Sequence, residues 1–217
     1  MHEAANIDVP TKPLWRGVIH QVFFFVALAA GVALVAAAPG RARWAAAVYA
    51  ASLVALLGVS ALYHRRNWRP RPRVWMRRLD HSAIFVLIAG TYTPLCAATA
   101  DRVALALWLV WGCAALGALK SMLWPYAPKW LVASLCVAMG WGGVVLTPAL
   151  AARTGASGVS LMAAGGLLYS VGALVYALRR PNPFPGVFGY HEVFHALVVA
   201  AAACHFVLVA LLLATLR

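Results

Sequence analysis

Acidic residues are nearly missing from this chain. Its 217 residues hold five Asp and Glu against eighteen Lys and Arg, and charged residues of all kinds make up only 11% of it. A soluble globule carries about a quarter of its residues charged, so this chain has too little polar surface to cover one. No series of carboxylates crosses the apolar segments and no paired interrupted helices are visible, which argues against an ion-coupled transporter. Cysteine is sparse as well: Cys96, Cys113, Cys136 and Cys204 stand singly, with no CxxC spacing and no histidine pattern beside them. They read as small buried apolar residues and carry no information on redox compartment. Strict internal repeats and long polar linkers are absent, and the short loops predict one bundle over residues 1–217 without a separate soluble domain.

What the chain does have is hydrocarbon, with 64% of its residues hydrophobic. Seven apolar runs, at about 18–38, 44–64, 80–99, 103–120, 130–150, 159–178 and 191–214, are each long enough to cross a bilayer core as a helix. The expected fold is therefore an all-α membrane protein, a seven-transmembrane helix bundle. The first run follows Lys12 and Arg16 and precedes Ala36-Ala37-Ala38, which resembles a secretory signal. Its core of about twenty residues exceeds the seven to fifteen of a signal, so it is expected to be retained.

Thirteen of the eighteen Lys and Arg residues fall in the segments on the N-terminal side of the bundle and five on the other. The positive-inside rule then places the N-terminus in the cytoplasm and the C-terminus outside. The formal charge of +13 has the same origin. Basic loop anchors beside anionic headgroups, with no recognisable binding module, exclude nucleic acid as a partner and leave membrane lipids. Two cytoplasmic connections stand out. "RRNWRPRPRVWMRR" (65–78) is expected to lie as a loop at headgroup level, and the three prolines of "RRPNPFPGVFGY" (179–190) to force a helix restart near His191.

An ionisable residue inside a span costs about 2.5–3.5 kcal/mol on insertion scales and is a functional candidate by default. Apart from Glu3, Asp8 and the loop residue Asp101, the acids are Asp80 and Glu192, both expected at helix starts. The second helix ends in "SALYH", which puts Ser60 and His64 at i and i+4 on one face. The third opens with "RRLDH" on the same side of the membrane, and the seventh opens with His191 and His195 one turn apart, about 6 Å along its axis. His64, Asp80, His191 and His195 thus share one depth. Three imidazoles with an open fourth position are the ligand set of a catalytic zinc, and the Asp80 carboxylate and Ser60 hydroxyl are placed to hold its water.

The remaining candidates are weaker. His81 points about 100° away from Asp80, and His20 sits near the inner end of the first helix. His205 lies about 15 Å beyond His195 and is expected to hydrogen-bond a neighbouring helix instead of sharing the metal. His191-Glu192-x-x-His195 has the form of the zinc-protease motif. Here, however, it opens a membrane helix with no soluble catalytic cleft, and Glu192 is expected to face Arg179 or Arg180.

The runs "SALYHRRNWRPRPRVWMRRLDHSAIFVLIAGTYTPLC" (60–96) and "HEVFHALVVAAAACHF" (191–206) resemble the bacterial hemolysin III family. That family is grouped with the progestin and adiponectin receptors and, more broadly, with the alkaline ceramidases. The resemblance extends over nearly the whole chain and implies zinc on His64, His191 and His195 near the cytoplasmic face, with Asp80 and Ser60 beside it. It implies the plasma (inner) membrane of a bacterium as the location, and the mechanism it suggests is hydrolysis of a lipid amide or ester. Zinc lowers the pKa of water from 15.7 toward about 7, Asp80 takes the proton, and Ser60 orients the water or the developing oxyanion. A different class of function, a membrane-homeostasis sensor, a receptor-like protein or a cytolytic protein with a structural zinc, uses the same residues as a scaffold. Substrate identity and oligomeric state are not readable from the sequence.

Overall fold

The computed structural model of the protein describes residues 12–217, so Glu3 and Asp8 lie outside it. The described residues are all-helical apart from one isolated bridge between Phe184 and Phe188. In chain order the helices are α1 (Val18–Ala37), α2 (Arg43–Arg65), α3 (Pro70–Thr99), α4 (Val103–Leu123), α5 (Lys129–Trp141), α6 (Thr147–Leu178) and α7 (Tyr190–Ala214), with short 3-10 turns before α2 and between α5 and α6. By length and composition, six continuous helical segments suit a membrane crossing, because α5, the 3-10 turn and α6 form one run of 50 residues.

Polarity is distributed as in a protein solvated by lipid. Phe25, Trp108, Leu116, Val145 and Leu174 face outward. The interior instead holds Ser60, His64, Asp80, His81, Glu192 and His195. The main core is built by α1, α2, α3 and α7, through Leu34, Tyr49, Leu53, Leu57, Leu87, Val198 and Val209. Against lipid, helix association depends on close packing, and small residues provide it. The buried stripe of α4 is Ala114, Gly117 and Ser121. At Gly117 the Phe85 ring occupies the space a Cβ would need.

Two expectations about helix limits change. The segment 65–78 is not a loop throughout, because α3 begins at Pro70 and carries Arg71, Arg73, Arg77 and Arg78 on helix. Proline is tolerated in the first turn, where its missing N–H has no intrahelical acceptor. Pro70 and Pro72 therefore start the helix instead of breaking it, and Arg78 stacks over the Trp75 ring one turn away at 4.7 Å. Asp80 consequently lies ten residues, about 15 Å, into α3 and not at its start.

The expected break between residues 150 and 159 is present but confined to a single non-helical residue, Gly155, with φ 63° and ψ −159°. This backbone region is essentially restricted to glycine. A straight helix would separate Trp141 and Ser170 by about 43 Å. Their side chains are hydrogen-bonded at 2.9 Å, so the chain doubles back between them.

Candidate metal centre

The site is assembled at the ends of helices on one side of the bundle. His64 is the penultimate residue of α2, one turn after Ser60. His191 and His195 occupy the first two turns of α7. At the start of that helix Glu192, its third residue, accepts the Gly189 N–H at 2.9 Å and so satisfies a backbone donor just outside the first turn.

The three imidazoles converge. One ring nitrogen from each of His64, His191 and His195 lies within 4.8 Å of the others. The Nε2 atoms of His64 and His191 are 3.1 Å apart. Nitrogens bound to zinc at about 2.0–2.1 Å with tetrahedral angles stand about 3.3 Å from one another, so this donor set fits a metal of that kind. Asp80 supplies the adjacent negative charge, its Oδ2 3.8 Å from His64 Nε2. This is beyond hydrogen-bond contact and leaves the carboxylate beside the cluster. The Ser60 hydroxyl adjoins that carboxylate, and both side chains are buried.

Other groups complete the surroundings. The His20 ring lies flat on His195, with centroids 3.8 Å apart and planes within 8°. It is 3% exposed, and neither of its nitrogens has a hydrogen-bond partner among the described residues. His191 is flanked by Tyr176, Tyr190 and Phe194, with ring centroids at 6.1, 6.0 and 5.9 Å. Lys129 donates to Tyr190 Oη at 2.6 Å and lies over both tyrosine rings.

The segment before α1 closes the site from below. Leu14 and Trp15 donate backbone N–H groups to Gly186 and Val187 in the loop before α7. Lys12 Nζ donates to the Arg66 carbonyl at 3.0 Å. Burial, then the neighbouring Arg73 and Arg16 guanidiniums, lower the pKa of the Lys12 ammonium. Gly17, at φ 77°, lets this segment pass so near α2 that a Cβ there would stand 2.8 Å from His64 Cβ.

Above the histidines a cavity of about 430 Å³ runs through the bundle. Its walls are largely apolar and include Leu56, Leu87, Leu95 and Val198, and His205 lines its far end. The His205 ring hydrogen-bonds the Met162 carbonyl of α6 at 3.4 Å, a contact to a neighbouring helix. His81, next to Asp80, also lines the cavity.

Glu192 does not face Arg179 or Arg180. It pairs with Arg16, whose Nε donates to Oε1, and its side chain is 1% exposed. The pair joins the segment before α1 to the first turn of α7. The cysteines divide: Cys96 is buried, Cys113 is exposed and Cys136 lines the cavity, so they do not form a uniformly buried set. The sequence reading gave little weight to His20 and did not single out Lys129, Tyr176 or Gly17. An isolated interfacial Lys or Tyr looks the same whether it anchors a helix or packs on a ligand-binding histidine.

A family model described as Haemolysin-III related matches residues 9–206. The chain is similar to "Hemolysin-3" of Bacillus cereus, with 35% identity over 164 residues that cover 73% of this chain and 70% of that protein. It is 30% identical over 162 residues to "Hemolysin-3 homolog" of Bacillus subtilis (strain 168), covering 73% and 72%. Similarity also extends to "Heptahelical transmembrane protein ADIPOR2" of Oryza sativa subsp. japonica, at 33% over 195 residues, or 80% and 84% of the two chains.

Proposed function

From the premise that the chain belongs to the haemolysin-III-related family, we propose that it is a zinc-dependent hydrolase of a bacterial plasma membrane, acting on a lipid amide or ester at the inner leaflet. One observation carries the reading: the His64, His191 and His195 nitrogens, with Asp80 beside them, open onto an apolar-walled cavity. A scaffold metal needs no such space, whereas a lipid chain does.

The bundle crosses the membrane seven times. Gly155 divides the long helical run into a fifth and a sixth span, a division supported by the Trp141–Ser170 bond. The N-terminus is cytoplasmic and the C-terminus external, in keeping with the distribution of Lys and Arg.

Zinc, when bound, acts as a Lewis acid on a carbonyl and lowers the pKa of water from 15.7 to about 7. His64, His191 and His195 hold it through their ring nitrogens. The Asp80 carboxylate would take a proton at Oδ2 from the water that attacks the carbonyl and would return it to the amine or alcohol released as the C–N or C–O bond breaks. Ser60 fixes the direction of that carboxylate, and the cavity walls keep bulk water from the acyl chain.

The names of its relatives favour a second reading, a receptor-like or cytolytic protein in which the metal is structural. Metal content, thermal stability and lipid hydrolysis, measured on wild type, Asp80→Asn and His191→Ala, separate the two. The enzyme reading expects Asp80→Asn to keep its zinc and lose about 10²–10⁴-fold of the hydrolysis, the range for a general acid-base group. Zinc lost from Asp80→Asn would make Asp80 a ligand, and a wild type holding zinc without hydrolysing any lipid would support the scaffold.

A further inference from the structure

Five cations line the cavity on the side of the histidine cluster; Arg16 is paired with Glu192, which leaves Lys12, Arg73, Arg77 and Lys129. Arg73 and Arg77 stand one turn apart on one face of α3 and also line a second, adjoining cavity with Tyr63, Trp68 and Tyr126. Among the described residues none of the four meets a carboxylate, the ion pairs being Arg16 with Glu192 and His64 with Asp80. Arg77 spends only its Nε, on the Pro125 carbonyl at 2.7 Å, and lies over the Tyr126 ring at 4.9 Å. Among the described residues its terminal nitrogens meet no acceptor.

Basic residues that merely anchor a helix end point outward to headgroups and need no cavity. Lys12 and Arg73 are exposed at the mouth of this cavity and Arg77 and Lys129 are half-buried in it, against a remaining wall that is mostly apolar, and low-dielectric walls concentrate the field of charges at a cleft. Among the described residues one carboxylate, Asp80, lines the cavity, one turn from Arg77, so a neutral head would leave four cations facing a single acid. A phosphate answers them, since arginine guanidiniums pair with its oxygens in a two-pronged geometry.

We propose that the cavity takes a lipid with a phosphate-bearing head, held at the rim by Arg73, Arg77 and Lys12, its chain lying along the apolar wall toward His205. The proposal rests on the reading of this cavity as a lipid compartment and specifies which lipids enter. Arg73 and Arg77 act as specificity-determining residues, selecting the head while the apolar wall accepts the chain.

The test uses the purified full chain in an uncharged detergent and three probes: oleoyl lysophosphatidate, monooleoylglycerol and inorganic phosphate. Binding is followed by intrinsic tryptophan fluorescence. Lysophosphatidate should bind at least about tenfold more tightly than the glyceride, a margin of about 1.4 kcal/mol, and the margin should narrow as salt rises. Arg73→Gln/Arg77→Gln should abolish the margin and leave glyceride binding unchanged. Arg73→Gln alone, which breaks none of the contacts described above, should narrow it, so a folding defect at Arg77 cannot be mistaken for the effect.

Equal binding of the two lipids, or a margin that survives the double substitution, overturns the proposal. Inorganic phosphate competing as well as the lysolipid would make the rim a free-anion site and overturns it too. Failure of both lipids to bind the zinc-loaded protein overturns the lipid compartment itself, whereas binding of both with equal affinity leaves that reading intact.

Discussion

The Arg16–Glu192 pair allows a quantitative prediction. The Glu192 side chain is 1% exposed and its Arg16 partner 23% exposed, so the two ends of the pair are unequally solvated. Arg16→Met leaves a buried carboxylate with the Gly189 N–H as its remaining bond among the described residues. Removing one partner of a buried pair typically costs about 3–5 kcal/mol. Glu192→Gln retains an acceptor for that N–H and leaves behind a guanidinium that can recover solvation, so its cost should be nearer about 1–2 kcal/mol. The double variant removes the mismatch altogether. It should be no less stable than Arg16→Met alone, which corresponds to a coupling of about 1–3 kcal/mol. Unfolding of the four proteins in one detergent, with metal content measured alongside, completes the cycle. Because Glu192 adjoins His191, Arg16→Met should also lower metal retention. Additive costs, or a Glu192→Gln variant less stable than Arg16→Met, would refute the argument.

Three further outcomes follow from packing. Gly17→Ala places a side chain at positive φ against His64 Cβ; it should destabilise by about 1–3 kcal/mol and lose metal, and normal metal content would show that the close approach is not required. His20→Phe keeps a ring on His195 and removes two unpartnered buried nitrogens, so chelator competition should find the metal retained and melting should occur no lower than in wild type; loss of metal would instead make His20 a ligand. His205→Ala should leave metal content at the wild-type level, because its ring bonds α6 at the far end of the cavity and not the cluster.

The helical, membrane-embedded character was legible in the sequence because the length of an apolar run is a local property and the bilayer sets its scale. The i, i+4 placement of His191 and His195, and of Ser60 and His64, was legible for a similar reason, since the period of a helix is independent of what packs against it. The start of α3 was misplaced because prolines that break a helix interior are harmless at its first turn. The break between the spans at 130–150 and 159–178 was legible to within a few residues, but that it is confined to Gly155 was not, since this residue looks like any other glycine until its φ and ψ are known.

By itself, then, the sequence determined what local rules govern: an apolar helical chain, basic residues gathered between its apolar runs, and candidate site residues one turn apart, Ser60 with His64 and His191 with His195. Tertiary structure alone decided what meets across the chain. Glu192 chose Arg16, 176 residues away, over Arg179 and Arg180 nearby. The reason is that α7 begins beneath the segment leading into α1, where a buried carboxylate can reach a cation. His20 lies on His195, and His64 stands 127 residues from His191 with their nitrogens 3.1 Å apart. Such contacts depend on how helices pack at their ends, which no single helix encodes.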